Sequence, residues 1–296
     1  MRRRAGCASF LFYHSLHDEA ELIFGLLKRK YDLCMRYVLL NYFHMSRILL
    51  EICTGDPAGV AAAIEGGADR IELCSALAEG GLTPSVAMIR FAVLRIPTNV
   101  LIRPRPGDFV YTPEELGVMK RDIEEAVRAG ASGIVTGVLT PEGEVDKEAC
   151  RRLLRPAQGL CNTFHRAFDV AADPFQALED IIGLGFSRLL TSGQRGSAME
   201  GAALIAELHR RAAGRIQIIA GAGVSPVNAA QLLKASEADE LHASARSRRE
   251  SAMSYAGGAA MGAADAADGS RIATDATIVA AIRRSIDSFM NTTCHE

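Results

Sequence analysis

The stretch Thr163-Phe-His165-Arg166-Ala-Phe-Asp169 decides how the rest of the chain is interpreted. Residues 162–164 have the β-branched and aromatic character typical of a strand, and the charged His-Arg pair after them indicates a site at the strand's end. Asp173-Pro174 then predicts a helix start, with Asp as the N-cap and Pro in the first helical position. The stretch is therefore one strand–helix unit with chemically useful groups at the carboxyl end of its strand.

The same unit recurs along most of the chain. Each helical segment ends in glycine or a small polar residue, and a short apolar strand follows. This repeated pattern is typical of stacked strand–helix units. The predicted strands are 47–53, 69–74, 98–104, 133–138, 161–166, 187–192, 216–220 and 239–244. The predicted helices lie near 57–65, 84–94, 113–129, 146–156, 174–183, 199–212, 225–234 and 276–290. Eight alternations predict an α/β fold of the closed (β/α)₈ TIM barrel type rather than an open doubly wound sheet, since no glycine-rich dinucleotide turn follows the first strand.

The ends of the chain and one internal stretch depart from this rhythm. Residues 1–46 are interpreted as an extension, either a loose helix or a segment upstream of a true start at Met45. The barrel is expected over 47–290, with 291–296 as a tail. The stretch 246–270 is rich in Ala, Gly and Ser and predicts a mobile loop between the last strand and the last helix.

Composition narrows the function classes. The 296 residues, 49% hydrophobic and 23% charged, suit one globular barrel domain. A net charge of −2 with scattered Lys and Arg gives no sign of a nucleic-acid surface, and no apolar run is long enough to span a bilayer. Seven cysteines, an odd number without close pairs, predict free thiols in a reducing cytoplasm.

Charged and polar residues collect where the predicted strands end, which is where barrel proteins place their sites. Because barrel strands are buried on both sides, such charges must be paired or used. The candidate acids and bases are Glu51, Glu72, His165 and Asp169. The candidate ligand-binding residues are Arg103, Arg105, Arg166, Thr191, Ser192, Gly221, Gly223, His242 and Ser244. The structural alternative is an ion network of Glu51 and Glu72 with the three arginines.

One chemistry that these residues suggest is soft-metal binding. Glu51-x-Cys53 and Glu72-x-Cys74 have the same spacing on adjacent strands, and neighbouring strands lie about 5 Å apart, so two thiolates could converge. Thiolates select Cu(I) or Zn. The alternative is that both cysteines are small buried hydrophobic residues.

A second chemistry is recognition of a small anion. Arginine pairs bind carboxylate or phosphate, and residues 220–223 before a predicted helix start at Ser225-Pro226 resemble a phosphate cradle. Lysines fall outside all eight strands, which disfavours a Schiff-base mechanism. A hard divalent cation held by the four candidate acids and bases is disfavoured by the nearby arginines.

Several long motifs, in order, resemble the CutC family. They are Glu51-Ile-Cys53, Asp69-Arg-Ile-Glu-Leu-Cys74, Glu79-Gly-Gly-Leu-Thr-Pro-Ser85, Ile102-Arg-Pro-Arg105, Thr163-Phe-His-Arg-Ala-Phe-Asp169 and Leu190-Thr-Ser-Gly-Gln194. The resemblance runs from about Arg47 to Phe289 and implies a cytoplasmic TIM barrel that forms a homo-oligomer, a dimer or tetramer. It also implies a role in copper homeostasis, with Cys53 and Cys74 as Cu(I) ligands.

Two functions therefore stay open at this point. One is copper homeostasis of the CutC type with Cu(I) binding. The other is a TIM-barrel enzyme or binding protein for a phosphorylated or carboxylate small molecule, with no copper role. The sequence does not decide whether the protein is an enzyme.

Overall fold

Strands and helices alternate along the chain in the computed structural model, which describes residues 47–255 and 270–293. The barrel strands are β1 (Leu49–Thr54), β2 (Arg70–Leu73), β3 (Thr98–Leu101), β4 (Gly133–Thr136), β5 (Thr163–Phe164), β6 (Arg188–Thr191), β7 (Gln217–Gly221) and β8 (Glu240–Ala243). The α-helices are α1 (Pro57–Glu65), α2 (Val86–Val93), α3 (Pro113–Ala129), α4 (Lys147–Leu154), α5 (Pro174–Leu184), α6 (Ala202–Ala212), α7 (Ala229–Ser236) and α8 (Ala276–Thr293). The predicted extension 1–46 lies outside the described residues.

The sheet closes on itself. Each of the eight strands is parallel to its neighbours in the order β1 to β8, and β8 pairs back onto β1. This arrangement confirms the predicted (β/α)₈ TIM barrel. The register places Cys53 opposite Glu72, and Glu51 opposite both Arg70 and His242. Because alternate residues of a strand share a face, these side chains meet inside the barrel.

Local sequence explains where several helices begin and end. Asp56, Thr112 and Asp173 cap α1, α3 and α5 with side-chain oxygens that accept hydrogen bonds from the first helical turn. Each cap is followed by proline, which confirms the start predicted at Asp173-Pro174. Gly130 and Gly185 end α3 and α5 in the left-handed conformation.

The core has an apolar outer shell and a charged centre. Outward-facing strand residues such as Ile52, Ile71 and Leu189 are fully buried against the helices. Barrel interiors are usually filled by layers of bulky apolar side chains. Here one interior layer is polar, and we call it the interior charge layer; it consists of Glu51, Arg70, Asn99, Arg188 and Glu240, all buried.

Arg70 organises the interior charge layer. Its Nε donates to Glu51 Oε2 at 2.6 Å, and its Nη2 donates to Glu240. Asn99 Nδ2 donates to the same Glu51 oxygen at 2.8 Å, and Arg188 Nε lies 3.5 Å from Glu240 Oε1. Buried charges need such partners, since removing one leaves the other desolvated and unpaired. The layer therefore fixes the strands beneath the mouth of the barrel.

Several predicted elements are shorter in the structure, and for two of them the hydrogen bonds show the cause. The predicted strand 161–166 is reduced to Thr163–Phe164, because His165 leaves the ladder and its Nδ1 accepts a hydrogen bond from Ala167 N at the start of a 3₁₀ helix, Arg166–Val170. The helix predicted from 225 begins only at Ala229. Asn228 Oδ1 accepts from Ser225 N, and this contact closes a turn in place of the first helical residues.

The prediction of a mobile loop over 246–270 was wrong for its first residues. Arg246–Arg249 forms β9, which pairs antiparallel with β10 (Arg271–Thr274) just before α8. The charged sequence of β9 lacks apolar alternation, and its partner is distant in the chain, so no local pattern revealed the strand. Residues 256–269 lie outside the described residues. Within 47–255 and 270–293, no helix combines the length and apolar character needed to cross a bilayer.

Candidate functional site

A cavity of about 580 Å³ opens at the carboxyl ends of the barrel strands, and we call it the mouth cavity. This volume lies within the range of about 300–1,000 Å³ that small-molecule sites occupy. The predicted site residues that line it are Cys53, Glu72, Arg103, His165, Arg166, Asp169, Gly223, His242 and Ser244. Residues from six of the eight predicted strand ends thus meet at one place.

The other predicted site residues do not line this cavity. Glu51 lies in the interior charge layer, and Gly221 lets β7 approach Leu190 and His242, since a Cβ there would be 2.7 Å from Leu190 Cδ1. Arg105 points to Glu115 and Asp108, with Nε donating to Glu115 Oε1 at 2.6 Å. Cys74, Thr191 and Ser192 are fully buried behind residues that line it.

The thiols of Cys53, on β1, and of Cys74, just after β2, lie in contact. Their Sγ atoms are 3.4 Å apart, and both side chains are buried. Cys53 Sγ also lies 3.6 Å from Glu72 Oε1, whereas Cys74 Sγ donates to Thr54 O at 3.6 Å. The thiol pair packs against an apolar wall formed by Leu77, Leu101 and Val135. Cys53 is the member of the pair that reaches the mouth cavity.

The pKa of the Cys53 thiol is raised well above its usual range. The largest cause is its hydrogen bond to Cys74, followed by burial and by repulsion from Cys74 and Glu72. Without a bound metal ion, this cysteine therefore holds its proton at neutral pH. A soft metal ion would reverse that preference, because a bound cation stabilises the thiolate.

Glu72 and His242 complete a group of metal-capable atoms around Cys53. One ligand atom from each of these three residues lies within 4.8 Å of the others. Burial raises the pKa of Glu72, although attraction to His242 opposes the rise. Burial alone would lower the pKa of His242, yet attraction to Glu72 and hydrogen bonds to Cys53 and Glu51 raise it well above 6.5. His242 is therefore an imidazolium whose Nδ1 donates to Glu51 Oε1 at 2.8 Å.

Glu51 supports this group from below. Burial raises its pKa, but Arg70 and His242 more than compensate, so the carboxylate stays ionised. Its two oxygens accept from Arg70, Asn99 and His242, which leaves it without a role at the mouth cavity. Glu51 therefore orients His242 in this structure.

On the other side of the mouth cavity, Arg103 is held rigidly. Its Nη1 donates to Glu79 O at 3.0 Å and Gly81 O at 3.1 Å, and its Nη2 donates to Gly107 O at 2.9 Å. The guanidinium lies 5.2 Å from the centre of the Phe109 ring, within the range of a cation–π contact. Phe109 in turn packs on His165, with ring centres 5.0 Å apart.

The carboxylate of Asp169 accepts hydrogen bonds from its own loop and from the end of β6. It accepts from Arg166 Nε at 2.7 Å, Thr191 Oγ1 at 2.5 Å and Ser192 N at 3.0 Å. Gln194 N adds a longer bond of 3.3 Å. A carboxylate with this many donors holds the loops after β5 and β6 together. Thr191 and Ser192 thus act on Asp169 rather than on the cavity.

The sequence interpretation missed most of the interior charge layer and also Arg246. Arg70, Asn99, Arg188 and Glu240 belong to the layer, and their only signal is a polar residue inside an otherwise apolar strand. Arg246 lines the mouth cavity from the first residue of β9. Its position two residues after Ser244 was the available signal, but the surrounding stretch resembled a loop.

The fold and the site define a class: a (β/α)₈-barrel protein whose mouth brings a buried thiol pair next to an arginine-lined cavity. The family model described as the CutC family matches residues 48–247. A CutC family protein of Chromobacterium violaceum is 48% identical over 242 residues, covering 81% of this chain and 98% of that protein. The chain therefore belongs to the CutC family.

Two further relatives agree with this assignment. The copper homeostasis protein cutC homolog of Homo sapiens is 47% identical over 209 residues, which are 70% of this chain and 77% of that protein. The crystal structure of CutC from Streptococcus agalactiae superimposes with a TM-score of 0.64 at 34% identity, covering 67% of this chain and 98% of that chain.

Proposed function

We propose that this protein binds Cu(I) at the Cys53–Cys74 thiol pair and serves copper homeostasis in the cytoplasm. The observation that carries the proposal is the 3.4 Å separation of two buried sulfurs at the mouth cavity. In this proposal copper is the ion that the protein binds and releases, and it is not a permanent cofactor. The name of the human relative, a copper homeostasis protein, supports the same conclusion.

The donor set fits a soft cation. Thiolates select Cu(I) and Zn over hard ions, and Cu(I) accepts few ligands. Cys53 and Cys74 would hold it, with Glu72 beside them as a third donor, or His242 once it has lost a ring proton. Glu72 Oε2 is buried and has no hydrogen-bond partner among the described residues. Buried polar atoms are usually paired, so this oxygen is available to coordinate a ligand.

The surroundings of the pair suit a reduced metal. Leu77, Leu101 and Val135 pack against the sulfurs and limit their contact with water, and a low dielectric strengthens the attraction between thiolate and cation. The four cysteines within the described residues are free thiols, which fits a reducing compartment. The homo-oligomer implied by the resemblance stays a prediction, and sedimentation of the purified protein would check it.

A Cu(I) competition titration against a chromogenic chelator, under reducing conditions, tests the proposal. Cys53→Ser and Cys74→Ser should each weaken the tightest Cu(I) site by more than about 100-fold, since a first-sphere ligand is worth more than a supporting partner. Cys161→Ser, a partly exposed cysteine outside the mouth cavity, is the matched control and should retain that site.

The remaining cysteines stay in every variant, so any difference from wild type belongs to the substituted position. If the Cys53→Ser/Cys74→Ser double variant binds Cu(I) with unchanged affinity, the proposal is wrong. A parallel titration with Zn²⁺ separates copper selectivity from general thiol affinity. Tighter Zn²⁺ than Cu(I) binding at this site would also contradict it.

A further inference from the structure

Two buried N–H donors of residues that line the mouth cavity have no hydrogen-bond partner among the described residues. They are Nε of Arg103 and Nε2 of His165, whose side chains are only 7% and 5% exposed. Buried donors are nearly always satisfied in folded proteins, and leaving them unpaired is unfavourable. Their shared position at one cavity points to a ligand that accepts hydrogen bonds there.

The tautomer of His165 is set by the backbone. Ala167 N donates to Nδ1 at 3.2 Å, so Nδ1 is the acceptor and the ring proton resides on Nε2. Burial, with help from the positive charge of Arg103, lowers the pKa of His165 to about 3. At physiological pH the ring is neutral, and its Nε2–H is an unpaired donor in the wall of the cavity.

Arg103 is also preorganised to donate a hydrogen bond to a ligand. Three backbone carbonyls and the Phe109 ring fix its guanidinium before any ligand arrives, so binding costs little side-chain entropy. Its Nε–H has no hydrogen-bond partner among the described residues. A rigid guanidinium with a spare N–H favours a carboxylate or phosphate oxygen.

The rim of the mouth cavity adds further positive charge. Arg166 and Arg246 both line it and are exposed, and no lysine does. The Asp169 carboxylate is held by Arg166, Thr191 and Ser192, so it offers little repulsion to an incoming anion. Glu72 and Glu79 also line the cavity, so its charge is mixed, and the preference for an anion comes from the unpaired N–H donors of Arg103 and His165.

We infer that the mouth cavity binds a small organic molecule through a carboxylate or phosphate group that accepts hydrogen bonds from Arg103 Nε and His165 Nε2. The body of the ligand packs against the apolar part of the wall, including Leu190 and Val224. This anion site stands on residues other than the thiol pair. It holds whether or not Cu(I) binds at Cys53 and Cys74.

Calorimetric titration of the full chain tests the site with three probes: inorganic phosphate, pyruvate and glycerol 3-phosphate. Saturable binding of pyruvate alone identifies a carboxylate site, and binding of the two phosphates identifies a phosphate site; either outcome supports the inference. Arg103→Gln should weaken the affinity for the probe about tenfold or more, because a charge-assisted hydrogen bond is lost. Arg105→Gln removes an arginine two residues away that does not line the cavity, and it should bind like wild type.

A pair of histidine variants isolates the Nε2–H group. His165→Asn keeps an acceptor near the Nδ1 position and loses the Nε2 donor, whereas His165→Gln places an amide N–H near Nε2. Probe binding should fall in His165→Asn and return largely in His165→Gln. Because these variants leave Arg103 intact, they keep the test valid if Arg103→Gln fails to fold.

Two outcomes would overturn the inference. One is that none of the three probes binds saturably at concentrations up to about 10 mM, which is weaker than most physiological ligand affinities. The other is that a probe binds equally to wild type, His165→Asn and every Arg103 variant that folds. Binding that persists in the Cys53→Ser/Cys74→Ser variant confirms that the anion site is separate from the thiol pair.

Discussion

The Sγ atoms of Cys53 and Cys74 lie 3.4 Å apart, although 21 residues separate them in the chain. Both sulfurs pack against the apolar side chains of Leu77, Leu101 and Val135, and Cys53 also lines the mouth cavity. The parallel register of β1 and β2 produces this contact, because it places Cys53 opposite Glu72 and Cys74 just beyond. The relationship leads to a first prediction about copper and protons.

Cu(I) affinity should rise with pH. The raised pKa of Cys53 means that its thiol is protonated at neutral pH, so copper must displace at least that proton. Each displaced proton strengthens apparent binding by about tenfold per pH unit. Competition titrations between pH 6 and 8 measure this slope, which should become shallower in Cys53→Ser. An affinity that is independent of pH would rule out coordination by this thiol.

Arg70→Met should strongly destabilise the fold. The substitution leaves the buried carboxylates of Glu51 and Glu240 without their main partner, which typically costs about 3–5 kcal/mol. Urea unfolding measures the loss. Arg128→Met removes an exposed arginine that pairs with Glu125 on the surface of α3, and it should cost less than about 1 kcal/mol. Equal losses in the two variants would mean that the interior charge layer is energetically unimportant.

His165 should make the protein less stable as the pH falls. Its pKa is about 3 in the folded protein and about 6.5 in the unfolded chain, so only the unfolded state takes up a proton between these values. Stability is therefore lost as the pH falls below 6.5, by about 1.4 kcal/mol per unit. Unfolding curves at pH 6.5 and 5 should show a smaller drop for His165→Asn. Parallel drops in variant and wild type would show that His165 titrates normally.

His242 should make the protein less stable as the pH rises, which is the opposite of the effect of His165. Its pKa is raised in the folded protein, since attraction to Glu72 and contacts with Cys53 and Glu51 outweigh the effect of burial. Its stabilising contribution is complete below about pH 6.5 and is lost as the pH rises toward the folded value. In His242→Gln this alkaline loss should disappear between pH 7 and 8, while the acid loss due to His165 remains. Retention of the alkaline loss would contradict the charged state of His242.

Gly81→Ala should disturb the loop that covers Cys74. Gly81 has a φ of +89°, and an added Cβ would lie 2.8 Å from Leu101 Cδ2 and 3.7 Å from Cys74 Sγ. Gly159→Ala is the matched control, because its φ is +86° but a Cβ there meets nothing within 4 Å. Backbone strain costs both variants about 1–2 kcal/mol, and overpacking should cost Gly81→Ala at least about 1 kcal/mol more in thermal unfolding. Equal losses would show that the contact relaxes freely.

The sequence by itself determined the architecture. Helix caps such as Asp56 and Asp173, stop signals such as Gly130 and Gly185, and short apolar strands are local features, and eight repeats of them leave few alternatives to a closed barrel. The sequence also identified nine of the residues that line the mouth cavity, because the carboxyl ends of barrel strands converge regardless of loop conformation.

The tertiary structure alone decided which of those residues share the cavity. Arg103 and Arg105 are equivalent in sequence spacing, yet β3 ends at Leu101, and Arg105 turns to Glu115 and Asp108. Glu51 was expected at the mouth, but Arg70 and Asn99 hold it one layer lower. A buried charged side chain adopts the position in which oppositely charged or hydrogen-bonding partners offset its desolvation. Those partners come from distant segments, and only the closed barrel sets their register.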